Sequence, residues 1–104
     1  MEIHIFDAAL ECFIQGLERR ALVKVLRTID LLEEFEYRLG MPHSKKVLPQ
    51  LFELRIQGQP EVRILYTFRR NSIVLLHGFI KKSQRLPQKE LLLAQRKLLA
   101  LDSI

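Results

Sequence analysis

Arg55, Arg63, Lys81 and Lys82 stand inside or at the ends of apolar, strand-like segments in the run FELRIQGQPEVRILYTFRRNSIVLLHGFIKK, residues 52–82. A cation held against a core is costly unless an anion meets it. Arginine offers a planar fork that grips phosphate and stays charged at any working pH, and lysine adds a compact point charge. Such cations suit phosphodiester chemistry, where negative charge grows on the non-bridging oxygens and fixed positive groups stabilise the transition state. RNA needs no external nucleophile, because its own 2′-hydroxyl can attack the phosphate.

Other residues have two readings each. Lys45, Lys46, Arg69, Arg70 and Arg85 read as loop cations that either steer phosphate or are simply solvated. His77 is either a general acid or base or a hydrogen-bonded core histidine. Tyr66 sits on the core parity of its strand; it is structural, or its hydroxyl touches substrate from the sheet edge. His4, His43 and His77 are scattered, so no metal-ligand cluster and no cofactor are expected. There is no Gly-rich phosphate loop and no nucleophile elbow.

The elements that must position these groups fit one domain spanning residues 1–104. The formal net charge of +5 is uneven: residues 1–40 carry five Lys/Arg against eight Asp/Glu, and residues 41–104 carry twelve against four. That asymmetry reads either as a field for an anionic partner or as a solvated basic surface. Cys12 is the only cysteine, which excludes an intramolecular disulfide. It is expected to be buried on a helical stripe. No segment reads as a signal peptide or membrane span, so a cytoplasmic location without membrane contact is expected.

Ile3 and Ile5 alternate with polar residues as a short strand does, and Asp7 is placed to cap a helix bearing Leu10, Phe13, Ile14 and Leu17. A second helix is predicted from about Glu18 to Arg38, with Leu22, Val25, Leu26, Ile29 and Leu32 on its stripe. The two form a hairpin over one sheet face. Met41–Gln50 reads as a loop. Three strands follow, with apolar faces Phe52/Leu54/Ile56, Val62/Ile64/Tyr66/Phe68 and Ile73–Ile80, and turns near Gly58 and at Arg70-Asn71. Pro87 opens a last helix, whose Leu91, Leu92, Leu93, Leu98, Leu99 and Leu101 exceed one narrow stripe; they form surplus core or a docking face.

A turn centred on Gln59 sets Arg55 opposite Arg63, a like-charge pair that makes sense around a shared anion. A turn centred on Arg70-Asn71 sets Arg63 opposite Gly78, which leaves open space above the arginine. Lys82 shares that parity.

The segments MPHSKKV, LFELRI, VRILYTF and SIVLLHGFIKKSQRLPQKEL, within roughly residues 38–97, resemble the phage-derived, HigB-like branch of the RelE/ParE toxin superfamily. The resemblance implies an α+β fold, β-α-α-β-β-β-α, with an antiparallel sheet packed by a helical hairpin. It also implies the toxin of a type II toxin–antitoxin pair, a metal-independent, ribosome-dependent mRNA endoribonuclease. Partners would be a cognate helix-turn-helix antitoxin, mRNA and the ribosome. By position, Arg55 and Arg63 would bind the reacting phosphate, assisted by Lys81 and Lys82. Several relatives carry a late tyrosine or histidine for proton transfer; here none follows His77. The alternative is a binding protein without catalysis, either a ParE-like gyrase inhibitor or an RNA-binding phage accessory protein.

Overall fold

A computed structural model describes residues 1–103. Strand β1 (Glu2–Ile5) leads into helix α1 (Ala8–Gln15) and helix α2 (Arg19–Phe35), which closes in a 3₁₀ turn at Glu36–Arg38. Strands β2 (Ser44–Leu48), β3 (Leu51–Ile56), β4 (Val62–Arg69) and β5 (Ser72–Ile80) follow, then helix α3 (Gln88–Asp102). The sheet order is β1-β5-β4-β3-β2. Strand β1 runs parallel to β5, and every other neighbour is antiparallel.

The α+β class and the helical hairpin are those expected from sequence, with one strand more. The segment read as the loop 41–50 contains β2. This edge strand turns Lys45 and Lys46 outward, and edge strands commonly carry lysine to deter further pairing. It therefore lacks the apolar alternation that marks a buried strand. The sheet is also mixed rather than wholly antiparallel.

Two cores sandwich the sheet. Leu10, Ile14, Val25 and Leu32 of the hairpin meet Leu54, Ile56, Val62, Ile64, Tyr66, Ile73 and Leu75 on one face. Leu51, Leu65, Val74, Leu76 and Phe79 meet Ala94 of α3 on the other. Burying each Leu or Val contributes about 1.5–3 kcal/mol. Asp7 caps α1 by accepting the Leu10 N–H at 3.0 Å, as predicted.

Two helical expectations need correction. Leu26 is 49% exposed, and Ala21, Val25, Thr28 and Leu32 face the sheet instead. Thr28 is tolerated there because its hydroxyl donates to the Lys24 carbonyl at 2.8 Å. Cys12 is exposed, because it lies about 200° round the helix from Leu10.

A β-bulge carries a third correction. The β4–β5 register runs Tyr66↔Leu75 and then Leu65↔His77, leaving Leu76 as the extra residue. Lys97 donates to the Leu76 carbonyl at 2.9 Å. Beyond the bulge, Arg63 pairs with Phe79 and Ile64 with Gly78. Gly78 thus belongs to the other face, where an added Cβ would come within 2.7 Å of the Phe13 ring. The glycine makes room for a core aromatic, not for a ligand above Arg63. Two-residue periodicity continued from Phe79 gives the Arg63 side to Lys81 rather than Lys82.

Candidate nucleic-acid interface

Arg55 and Arg63 are directly opposed across β3 and β4, as the turn at Gln59 predicts. The shared anion between them is supplied by the chain. Glu53, two residues before Arg55 and on the same face, lies 3.5 Å from Arg63 Nε and 4.0 Å from Arg55 Nε. Glu61 adds a contact of 3.1 Å to Arg63, whose fork also donates to the Val62 carbonyl. Arg63 is 2% exposed and Glu53 4%. Arg63 is therefore a neutralised internal strut, while Arg55 is less buried and less fully balanced.

The difference continues at the chain's edge. Strand β2 begins its pairing at Ser44↔Leu54, one residue short of Arg55. The Arg55 amide instead donates to the His43 carbonyl at 2.8 Å, and its Nη1 reaches Met41 Sδ at 3.3 Å. The Arg55 side chain lies on the Glu53–Arg63 face of β3, opposite the hairpin, and reaches Met41 where β2 has not yet begun; at this open end of the sheet Arg55 also borders a groove between α2 and the end of β3. Lys24, Arg27, Thr28 and Leu31 line it from α2, Pro42 and His43 from the approach to β2, and Arg55, Ile56 and Gln57 from β3. The residues 24, 27, 28 and 31 share one helix face by their i, i+3, i+4, i+7 spacing. The groove encloses about 280 Å³ and no carboxylate lines it. Gly58, at φ +155°, clears the path of Lys24: a Cβ there would come within 2.8 Å of Lys24 Nζ.

Sequence reasoning missed Lys24, Arg27 and His43. The two α2 cations sit in the acidic part of the chain, mostly off the apolar stripe of their helix. His43 lies in a segment read as loop, without a pattern to tie it to Arg55.

The remaining predicted residues are dispersed. Lys81 extends the ladder by one bond, its amide donating to the Glu61 carbonyl at 2.9 Å, beside the Arg63 cluster. Lys45 pairs with Glu53 in register and is exposed; Lys46 projects to the opposite face. Lys82 and Arg85 are exposed after β5. Arg69 is at the far end of β4, bonded to Asp102 at 2.7 and 3.0 Å, to Gln50 and to Thr67. Its guanidinium holds the Asp102 carboxyl below the usual carboxylate range. Arg70 is exposed in the β4–β5 turn at φ +49°.

Tyr66 is buried, and it spans to Ser44 on the edge strand β2. Its hydroxyl shares a 2.5 Å hydrogen bond with Ser44, and burial pushes the phenol's pKa up against the pull of that bond. His77 Nε2 lies 2.7 Å from Glu90 of α3, beside the Asp7–Lys97 pair at 3.0 Å. That arrangement pins α3 and the bulge, away from the groove. Among the described residues no three of His, Cys, Asp and Glu converge as metal ligands would, and no helix is long and apolar enough to cross a membrane.

The family model described as phage-derived protein Gp49-like matches residues 12–99, most of the chain. The chain belongs to the Gp49-like, phage-derived family. This is a toxin-like family of the RelE/Gp49 type, and the five-stranded α+β sandwich agrees with a RelE-like fold. The match takes in every residue lining the groove, from Lys24 to Gln57. A comparison with curated proteins finds no match.

Proposed function

We propose that the protein is the toxin of a type II toxin–antitoxin pair and acts as an mRNA endoribonuclease on translating ribosomes, in the manner of the HigB-like branch. The observation that carries this reading is the groove of Lys24, Arg27, His43 and Arg55, four nitrogen-bearing side chains with no lining carboxylate. An RNA phosphate brings the anion that this groove lacks. Arg55 presents its fork to the non-bridging oxygens, and Lys24 and Arg27 hold the flanking backbone. The 2′-hydroxyl oxygen attacks the adjacent phosphorus as the bond to the 5′-oxygen breaks, leaving a 2′,3′-cyclic phosphate, and the departing 5′-oxygen takes a proton from water. His43, the histidine at the groove, takes the 2′-hydroxyl proton. Arg63 and Glu53 act as positioning residues: they fix the strand pair that carries Arg55. Lys81, beside them, and Lys45, Lys46, Lys82 and Arg85 add attraction along the RNA path. A cognate helix-turn-helix antitoxin is the proposed partner.

Expression of the chain alone should arrest growth, with messages cut inside translated regions. Arrested cells with intact message would overturn the nuclease reading, and gyrase-dependent DNA breaks in those cells would replace it with gyrase inhibition.

A further inference from the structure

The chemistry of α3's outer face is distinct from that of the groove. Leu99 is 71% exposed, and Leu92, seven residues earlier, is 51% exposed. Steps of three and four residues join Lys89, Leu92, Arg96, Leu99 and Ser103 into one line along the helix, and all five are exposed. Ala94, on the opposite side, is fully buried, and Leu91, Leu98 and Leu101 pack beside it against the sheet. Core packing therefore uses the other leucines and leaves Leu92 and Leu99 over.

The charges on α3 are sorted as sharply. Its carboxylates are both engaged within the molecule, Glu90 with His77 and Asp102 with Arg69. Lys97 is engaged with Asp7. Lys89 and Arg96 have no ion-pair partner among the described residues and stand in line with the exposed leucines. The seam alternates cation and leucine over about 21 Å, close to two heptads of partner helix.

We propose that this seam docks an acidic amphipathic helix of a partner chain, with leucines against Leu92 and Leu99 and carboxylates against Lys89 and Arg96. A second copy of this chain does not fit, because it would bring Lys89 and Arg96 against their own kind with no carboxylate between. A nucleic acid would satisfy the cations and leave both leucines in water. The inference stands on the seam and not on the cleavage reading, which fails or survives by Arg55 and RNA.

The test uses the whole protein and a synthetic amphipathic helix of about two heptads with alternating Glu and Leu in its seam. Binding is followed by fluorescence anisotropy, beside a peptide with Lys replacing Glu. The wild-type protein should bind the Glu peptide saturably and not the Lys peptide. Lys89→Glu with Arg96→Glu should weaken the Glu peptide by at least roughly tenfold and confer binding of the Lys peptide. Leu92→Asp with Leu99→Asp should abolish both. Circular dichroism checks that each variant is folded; the charge swap keeps the test decisive if the leucine pair misfolds. No binding by wild type, equal binding by the folded variants, or a swap that fails to exchange peptides would overturn the proposal.

Discussion

Arg55 and Arg63 are the same residue type, directly opposed across one strand pair, yet their surroundings differ. Arg63 is enclosed by Glu53, Glu61 and the Val62 carbonyl, and water barely reaches it. Arg55 is 4.0 Å from its nearest carboxylate and borders a groove that contains none. A cation on a strand is available to a ligand only when the chain has not already neutralised it. Strand parity locates the charge; the local count of carboxylates decides its use. The same distinction separates Arg69, bound to Asp102 at the far end of β4, from Lys24 and Arg27 beside the groove.

The contrast breaks most severely at Glu53. Glu53→Ala leaves a buried guanidinium with Glu61 alone and should cost roughly 3 kcal/mol of stability, measured by urea unfolding. Arg63→Ala should lose a similar amount, so its loss of toxicity would follow unfolding. Replacing both Glu53 and Arg63 with apolar residues should recover most of the stability; no recovery would show that the pair does more than balance its own charges.

Arg55→Ala should cost less stability than Glu53→Ala, about 1 kcal/mol, because Glu53 keeps its contact with Arg63. Cleavage should fall about 10²–10³-fold, as expected for losing one transition-state donor. His43→Gln should lower kcat with little change in KM, because it removes a proton acceptor and no phosphate contact. A rise in KM alone would make His43 a binding residue.

Much of the contrast was legible in the sequence. The facing register followed from the turn at Gln59, and Glu53 stood in plain view two residues before Arg55. What was missing was the step from a shared anion to an internal one. The bulge at Leu76 was not legible, because an unbroken apolar run from Ile73 to Leu76 has no alternation from which to read a slip; it moved Gly78 to the hairpin face. The groove was hidden for a different reason. It joins α2 to the end of β3, residues some thirty positions apart whose apposition depends on the hairpin packing over the sheet. Leu26 was misplaced because helical stripes are wide and their edges are settled by packing; Cys12 was misplaced although helix geometry alone sets it opposite Leu10.

Smaller effects sharpen the picture. Lys24→Ala and Arg27→Ala should each flatten the salt dependence of RNA binding by about 0.7 in log–log slope, one phosphate contact apiece. Arg69→Ala should leave the slope unchanged. Asp7 offers a pH test. Its burial raises the carboxyl's pKa, but the Leu10 N–H and Lys97 outweigh this and hold it below the usual value of 3.8. The unfolded chain then binds the proton more readily. Asp7's contribution to stability is present above about pH 3.8 and is lost as pH falls through the lower folded value. Asp7→Asn should flatten that acid limb in unfolding experiments.

The most direct measurement is single-turnover cleavage of message on translating ribosomes by Arg55→Ala protein shown to be folded by circular dichroism. The folded variant should cut about 10²–10³ times more slowly than wild type. A folded Arg55→Ala protein cutting at the wild-type rate would contradict the role given to Arg55.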